Sequence, residues 1–262
     1  MEEEGGLTVE VLKVTDITKN FGGVAAVTGF SMAQRENEIT GIIGPNGAGK
    51  TTIFNLITGV YPVDTGRMWF YGTETTRTPA HAITALGITR TFQNIRLFRN
   101  LSILDNLKVV FGVKSRYTLW EEMARLPRVR REEKEVADLA KSYLAYFRME
   151  KYADYFPYNL PYGLQRRLEL ARALMASPRL LLLDEPGAGL NPKEIRELMG
   201  TLLKIKEEKK LSMIVVEHHM ELVMNICTTL HVLDFGKTIA EGRPEEIKKN
   251  EQVLQAYLGD EV

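Results

Sequence analysis

The sequence has a single cysteine, Cys227, among its 262 residues. One cysteine cannot form an internal disulfide, so the chain is compatible with a reducing compartment and we expect a cytoplasmic protein. An excess of charge of one sign is also absent, because 34 Lys and Arg side chains balance 34 Asp and Glu side chains. No overall positive charge therefore favours nucleic acid as the main partner, and we expect the protein not to bind nucleic acid.

Long hydrophobic runs are absent as well. The longest apolar pieces, such as RLLLLDE, are far shorter than the roughly 18 residues that a membrane-spanning helix needs. The N-terminal stretch MEEEGGLTVE is acidic where an export signal is basic and then apolar, so we expect no export signal. Any association with a membrane is therefore expected to be peripheral. Hydrophobic residues still make up 44% of the chain, enough for the core of one large domain or of a domain with an insertion.

Hydrophobic periodicity predicts an α/β protein. Strand patterns in TVEVLKVTDI and FSMAQRENEITGIIG precede a glycine-rich turn and a helical pattern in KTTIFNLITGV. A hairpin is predicted within YPVDTGRMWFYG. After it, a helix that ends at Gly87 is predicted in TPAHAITALG, and a short strand in ITRTFQ. Beyond Gly163, where a helix is expected to start, helices and strands alternate again as far as TLHVLDFG, which is typical of a mostly parallel sheet.

The composition changes between residues 94 and 160. Charged and helix-favouring residues dominate there, as in LWEEMARLPRVRREEKEVADLAKSYLAYF, and Pro127 should break the segment into separate helices. We therefore expect a core made of residues 1–93 and 161–262 and a helical insertion at 94–160. The C-terminal edge of the insertion is expected to run into a helix near residues 163–176.

A phosphate-binding motif lies between the second strand pattern and the first helical pattern. GPNGAGKTT matches Gly-x-x-x-x-Gly-Lys-Ser/Thr in the strand, loop and helix context that this motif requires. Backbone N–H groups of the curled loop would face phosphates, Lys50 would reach the β and γ phosphates, and the Thr51 hydroxyl would ligate Mg²⁺. The alternative is a glycine-rich turn that arises by chance. The predicted nucleotide-binding residues are Gly44, Pro45, Asn46, Gly47, Ala48, Gly49, Lys50, Thr51 and Thr52.

An acidic pair, Asp184 and Glu185, ends the apolar strand RLLLLDE. Parallel sheets present residues to ligands at this end of their strands. Asp184 would hold Mg²⁺ through water, and Glu185 would orient and polarise an attacking water. An isolated acidic pair is usually a solvated surface feature, but the phosphate loop upstream favours the catalytic interpretation.

Together these motifs resemble the ATP-binding subunits of ABC transporters. That family combines a phosphate loop, a glutamine at a strand end, a Leu-Ser-Gly-Gly-Gln signature, an acidic strand end and a switch histidine. The same order is met here by Lys50, Gln93 in RTFQN, the stretch LPYGLQ, the acidic pair, and His218 in VVEHH. TRTFQNIRLFRNLSILDNL and DEPGAGLNPKE are most similar to the subunits of branched-chain amino-acid importers.

The resemblance implies a fold and roles for single residues. The fold would be a P-loop NTPase core with a mostly parallel sheet, an N-terminal antiparallel β part and a helical insertion subdomain. Phe21 in KNFGG would stack on adenine, the alternative being a core phenylalanine before a glycine turn. His218 would contact the γ phosphate and act with Glu185 and Gln93 in catalysis. The Mg²⁺ ligands would be Thr51, Gln93 and Asp184.

The signature region departs from the family pattern. The usual Ser falls at Pro161, the first Gly at Tyr162 and the Gln at Leu164, which leaves Leu160 and Gly163 as matches. By resemblance, the loop would cap the ATP of a second subunit, with Gly163 permitting close approach to the γ phosphate. The alternative is an ordinary helix start. The residues of this predicted loop are Leu160, Pro161, Tyr162, Gly163, Leu164 and Gln165.

Two histidines and the cysteine raise the question of a metal site. His218, His219 and Cys227 fit no standard zinc spacing, and neighbours on an extended strand point to opposite faces. We therefore expect no zinc there, and expect His219 at a helix start or on the surface.

The resulting hypothesis is an ATPase with ATP and Mg²⁺ as cofactors, at the cytoplasmic side of a membrane. Its expected partners are polytopic membrane permease subunits, a second ATP-binding subunit, identical or related, and, indirectly, a periplasmic or extracellular substrate-binding protein. Leu97 and Phe98 would help the insertion to dock on the permease, unless they are buried between the subdomains. Alternatives are another cargo such as urea or a lipid, a soluble ABC ATPase acting on ribosomes or DNA, and a phosphoryl-transferring kinase.

Overall fold

The computed structural model describes residues 9–112, 120 and 126–258. The chain forms two compact units, which we call the first unit (Met1–Gln93 with Arg179–Val262) and the helical unit (Asn94–Pro178). The helical unit starts where the sequence pattern predicts it but extends to Pro178 instead of ending at residue 160. The expected core boundary at residue 161 is therefore wrong, for a reason that the packing of its helices explains below.

The first unit contains an antiparallel sheet of four strands in the order β2-β1-β4-β5. The hairpin expected within YPVDTGRMWFYG is displaced, because its turn at Tyr71 and Gly72 joins β4 to the short β5 and not two strands inside that stretch. The strands are β1 (Glu10–Phe21), β2 (Val24–Arg35), β4 (Thr65–Phe70) and β5 (Thr73–Glu74).

The second sheet of this unit has six strands in the order β10-β9-β3-β8-β7-β6. All neighbouring pairs are parallel except β9 with β10. Every residue of β3, β7 and β8 is buried, as expected for parallel strands covered on both faces. The strands are β3 (Ile39–Ile43), β6 (Ile88–Arg90), β7 (Leu180–Asp184), β8 (Ser212–Val216), β9 (Thr229–Asp234) and β10 (Lys237–Gly242).

Helices alternate with most strands of the first unit, and glycine or proline marks some of the helix ends. The second helix ends at Gly87, whose φ of 108° is left-handed, as the sequence predicts. The helices are α1 (Lys50–Ile57), α2 (Ala80–Leu86), α3 (Ile103–Gly112), α4 (Pro127–Tyr146), α5 (Tyr162–Met175), α6 (Pro192–Lys209), α7 (Met220–Ile226), α8 (Pro244–Ile247) and α9 (Glu251–Leu258).

The helical unit is built by α3, α4 and α5. Pro127 is the first residue of α4, where its missing N–H has no intrahelical partner to lose, so a helix starts at the predicted break. The Tyr143 hydroxyl of α4 donates to the Leu174 carbonyl of α5 over 3.1 Å, and α3 also contacts α5. These contacts place α5 in the helical unit and explain why that unit ends at Pro178.

The α/β fold class is confirmed, with its mostly parallel sheet, its antiparallel sheet and its helical unit. Within the part of the chain that is described, no helix combines the length and the apolar character needed to cross a membrane.

Candidate nucleotide-binding and hydrolysis site

The phosphate loop joins the end of β3 to the start of α1. Its three glycines have positive φ angles of 149° at Gly44, 82° at Gly47 and 99° at Gly49. A Cβ at Gly49 would collide with the Ala26 carbonyl oxygen, so this position requires glycine on both conformational and steric grounds. The loop therefore curls over the N-terminus of α1, where unpaired backbone N–H groups favour an anion.

A hairpin from late in the chain holds this loop. The N–H of Gly236, in the turn between β9 and β10, donates to the Ala48 carbonyl over 3.1 Å. The Gly236 carbonyl accepts from the Thr28 N–H of β2 over 2.8 Å. The turn thus connects the phosphate loop to β2, a contact that the motif itself does not reveal.

Lys50 begins α1 and is almost fully buried. Its Nζ donates to the carbonyls of Gly44 over 2.7 Å and of Pro45 over 2.8 Å. Burial lowers the pKa of Lys50, and the negative charges of Glu185 and Asp184 oppose that shift. The ammonium group therefore lies inside the loop, within the electrostatic field of the acidic strand end.

The acidic pair stands at the carboxyl end of β7. Asp184 pairs with Val216 of the neighbouring β8, and the Glu185 N–H then donates to the Val216 carbonyl over 2.8 Å. Glu185 has a φ of 46°, an unusual value for a residue with a Cβ. Such strain concentrates at functional sites, where the surrounding structure maintains it.

The three residues proposed for catalysis meet at one atom. Gln93 Nε2 donates to Glu185 Oε2 over 2.7 Å, and His218 Nδ1 lies 3.7 Å from the same oxygen. These residues come from three separate chain segments, after β6, β7 and β8 in turn. The structure therefore brings together residues that the sequence places far apart.

The two histidines do not lie on an extended strand. β8 ends at Val216, and the His218 and His219 rings lie 4.7 Å apart between centroids. The expectation that they point to opposite faces is wrong because the strand ends two residues earlier. His219 is the N-cap of α7, as expected of a helix start. Over the described ranges, no group of three or more His, Cys, Asp or Glu side chains could hold a metal ion.

A buried acid inside VVEHH was given no role by the sequence pattern. Glu217 is fully buried, and neither carboxylate oxygen makes a hydrogen bond of good geometry within the described residues. Burial, together with the nearby Glu185 charge, raises the pKa of Glu217 to about 8. Its only sequence signal is an acidic residue directly after an apolar strand.

Phe21 lies at the end of β1 and is 42% exposed. It packs edge-on against Tyr61 at 5.2 Å between ring centroids, and Lys19 Nζ lies 5.6 Å from its ring centre. The alternative of a core phenylalanine is wrong, because the side chain leaves a large part of its surface free for a flat ligand.

The predicted signature loop belongs to the helical unit. Pro161 is the N-cap of α5 and Tyr162 its first residue, so the helix starts one residue before Gly163. Leu160 is buried, and Gln165 Nε2 donates to its carbonyl over 2.9 Å. The Gln165 amide thus folds back on the loop, which gives the turn before α5 a fixed shape.

The first unit defines a class of protein. A glycine-rich loop between a parallel strand and a helix, with a buried lysine and an acidic residue at the end of another parallel strand of the same sheet, is the site of a P-loop nucleoside triphosphatase.

Comparison with known proteins narrows this class. The ABC transporter family matches residues 27–188, and the branched-chain amino acid ATP-binding cassette transporter family matches residues 237–262. The sequence is 40% identical to the high-affinity branched-chain amino acid transport ATP-binding protein BraF of Pseudomonas aeruginosa and 38% identical to LivG of Escherichia coli. Each alignment spans 250 residues and covers 95% of this chain and 98% of the relative.

A solved structure agrees with these matches. The ADP conformation of MJ1267, an ATP-binding cassette of an ABC transporter, has a TM-score of 0.84 at 29% identity and covers 97% of this chain and 100% of its own. The chain belongs to the ABC transporter family, as one of its ATP-hydrolysing subunits.

Proposed function

We propose that this chain hydrolyses ATP to power the uptake of branched-chain amino acids through a membrane permease. The convergence of Gln93 and His218 on Glu185 Oε2, beyond the ends of β6, β8 and β7 in the sheet that also carries the phosphate loop, is the observation that carries the reaction. The cargo is supported by the match of residues 237–262 to the branched-chain family and by the relatives of the same name.

Glu185 acts as the general base in this proposal. It accepts a proton from water while the water oxygen bonds to the γ phosphorus and the bridging P–O bond breaks in line, which yields ADP and phosphate. Gln93 and His218 hold the Glu185 carboxylate in place, and the loop N–H groups with Lys50 bind the β and γ phosphate oxygens. Phe21 offers its exposed face to adenine.

The oxygen donors expected for Mg²⁺ are the Thr51 hydroxyl, the Gln93 amide and the Asp184 carboxylate. They fit the ion, because Mg²⁺ prefers oxygen ligands and binds through one or two carboxylates together with substrate phosphates. When bound, Mg²⁺ would neutralise charge on the β and γ phosphates. Asp184 is the one carboxylate in this set, which leaves most ligand positions for water and nucleotide.

The working assembly pairs two ATP-binding subunits, identical or related, at the cytoplasmic face of the membrane. Leu160, Gly163 and the other residues of the signature loop would cap the nucleotide bound by the facing subunit. The helical unit would contact the permease, and a substrate-binding protein on the outer side would deliver the cargo.

Replacing Glu185 by glutamine tests the catalytic proposal. Glu185→Gln keeps the shape and the contact with Gln93 but removes the base, so ATP affinity should persist while turnover falls by roughly 10²- to 10⁴-fold. Nucleotide titration and steady-state phosphate release measure the two quantities. The matched variant Glu208→Gln, on the exposed face of α6, should keep both. Near-normal turnover of Glu185→Gln would remove Glu185 from the mechanism.

Reconstitution tests the transport proposal. The chain, its copurifying permease and its second ATP-binding subunit are placed in liposomes, and ATP-dependent uptake of labelled leucine, valine, urea and a lipid is compared. Uptake of the amino acids alone supports the proposal. Transport of urea or lipid instead would change the cargo, and copurification with ribosomes but no membrane protein would contradict a transport role.

A further inference from the structure

Arg90, the last residue of β6, is almost fully buried and contacts the acidic strand end. Its Nη2 donates to Asp184 Oδ2 over 2.6 Å, and the two side chains are only 7% and 4% exposed. The guanidinium lies 5.4 Å from the Phe54 ring centre and 5.3 Å from that of Phe92. Arg90 begins the stretch RTFQN, in which the sequence pattern gives a role to Gln93 alone.

The same guanidinium reaches the helix that follows the phosphate loop. Arg90 Nη1 donates to Asn55 Oδ1 over 2.6 Å. Asn55 follows Thr51 by four residues on α1, so both side chains stand on one face of that helix. Arg90 therefore joins Asp184 to the helix face that carries Thr51.

Stability alone does not explain this arrangement. Burying two charges costs desolvation that their attraction returns only in part, and apolar residues of similar volume often serve a core as well. Arg90 Nε also finds no acceptor among the described residues, which adds to the cost. A planar guanidinium, in contrast, holds two acceptors at once in fixed directions, which a lysine cannot do.

We propose that Arg90 is a positioning residue of the magnesium site, which fixes Asp184 directly and the Thr51 face of α1 through Asn55. The inference rests on the proposed function, because it takes Thr51 and Asp184 as Mg²⁺ ligands. Arg90 holds Oδ2 of Asp184 and so sets the direction in which the other carboxylate oxygen points. Such outer partners of metal ligands change metal affinity without touching the metal.

The test separates metal use from folding. ATP affinity is titrated with excess EDTA and then at increasing Mg²⁺ for the wild type, Arg90→Gln, Arg90→Lys and Asn55→Leu. We expect similar ATP affinity in EDTA, and a Mg²⁺ midpoint raised roughly 10- to 100-fold by Arg90→Gln. Arg90→Lys and Asn55→Leu each keep one of the two links, so they should give intermediate midpoints and remain informative if Arg90→Gln does not fold.

Arg179→Gln is the matched control. Arg179 precedes β7 at the end of the β6 and β7 pair opposite Asp184, and its guanidinium stacks 3.4 Å from the Tyr71 ring centre. This variant should lose thermal stability and keep the wild-type Mg²⁺ midpoint.

Two outcomes overturn different statements. A wild type whose ATP affinity does not respond to Mg²⁺ contradicts the proposed magnesium site itself. A wild type that responds, beside folded Arg90 and Asn55 variants whose Mg²⁺ midpoint is unchanged or lower, overturns the positioning role alone.

Discussion

A missing side chain at Gly187 makes room for the buried acid Glu217. A Cβ at Gly187 would lie 2.5 Å from Glu217 Oε1 and 3.2 Å from the His219 ring. The backbone N–H groups of Gly187, His218 and His219 face the carboxyl and partly offset its desolvation. Because Glu185 lies nearby, a second negative charge on Glu217 is unfavourable, so the folded protein favours the protonated acid at neutral pH.

The pH dependence of stability tests this protonation. Glu217 has an ordinary pKa of 4.5 and a folded-state pKa of about 8. Below pH 4.5 the carboxyl is neutral in both states, whereas between 4.5 and 8 the unfolded state ionises first, so stability is lost as pH rises and the loss levels off above about 8. Glu217→Gln imitates the protonated form and should gain stability over the wild type across this window, by at most about 5 kcal/mol.

Urea unfolding at pH 5 and at pH 8, followed by circular dichroism, measures the difference. The control Glu208→Gln, whose carboxylate is exposed, keeps Glu217 and should therefore show the same pH dependence of stability as the wild type. An equal stability difference between Glu217→Gln and the wild type at both pH values would show that Glu217 does not titrate in this way.

At this scale, the sequence predicts residues whose chemistry is local. Lys50 and Thr51 follow from one contiguous motif, because the loop and the helix start are built by neighbouring residues. Arg90 and Glu217 do not follow, because their partners lie elsewhere in the chain, such as Asp184, 94 positions after Arg90. Only the register of β6 and β7 brings that ion pair together.

Among the elements, α5 carries the glycine, Gly163, that can test whether the signature loop contacts a second subunit's ATP. Gly163 lies in the first turn of the helix and belongs to the signature loop that we propose to cap a second subunit's ATP. A carboxylate in the first turn of a helix is electrostatically favourable to the helix itself. An acidic substitution here therefore tests the approach of a phosphate without weakening α5.

Gly163→Asp should separate nucleotide binding from subunit pairing. The carboxylate would repel the γ phosphate of the facing subunit, so ATP-dependent dimers should disappear while the ATP affinity of the monomer persists. Nucleotide titration and size-exclusion chromatography with ATP, in a Glu185→Gln background and with the related partner chain if one is needed, measure both. The control Gly200→Asp alters an exposed helix glycine where a Cβ would meet no atom within 4 Å, and it should keep the dimer. Loss of ATP binding by a folded monomer would mean that the loop acts within its own subunit.

Elements are predictable where one signal decides them. Gly87 ends α2 and Pro127 starts α4 because each residue has a strong backbone preference. The hairpin of β4 and β5 is displaced from its expected place because β4 pairs mainly with β1, a partner more than 40 positions earlier. The end of the helical unit likewise depends on how α5 packs against α3 and α4, which periodicity does not specify.

At the scale of the whole molecule, the helical unit presents an aromatic residue on a rigid loop. Phe98 is 49% exposed, and Leu97 beside it is partly buried. The buried Asn106 side chain accepts from the Phe98 N–H over 2.8 Å and donates to its carbonyl over 3.0 Å. An exposed ring on a fixed backbone is typical of an anchor for a protein partner.

Phe98→Ala should weaken the contact with the permease that we propose for the helical unit. Loss of an aromatic anchor that a partner buries lowers the affinity for that partner roughly tenfold or more. Copurification with the permease and transport should therefore fall, while the ATPase activity of the isolated subunit is maintained. The control Leu203→Ala, at a 38% exposed position on α6, should leave transport unchanged. Crosslinks from residues 94–160 to soluble proteins alone, and never to a membrane subunit, would contradict this docking.

The position of β3 in the chain also governs how the protein can be made. Its two sheet neighbours, β8 and β9, begin at Ser212 and Thr229, about 170 residues or more after β3 ends. At a synthesis rate of ~5–20 residues per second, roughly 10–30 s pass on the ribosome before the first neighbour exists. Gly236, which holds the phosphate loop, emerges later still. A nascent chain therefore lacks the complete support of its phosphate loop until Gly236 has emerged, and its apolar β3 stays without either sheet neighbour until Ser212 and the residues after it have been made.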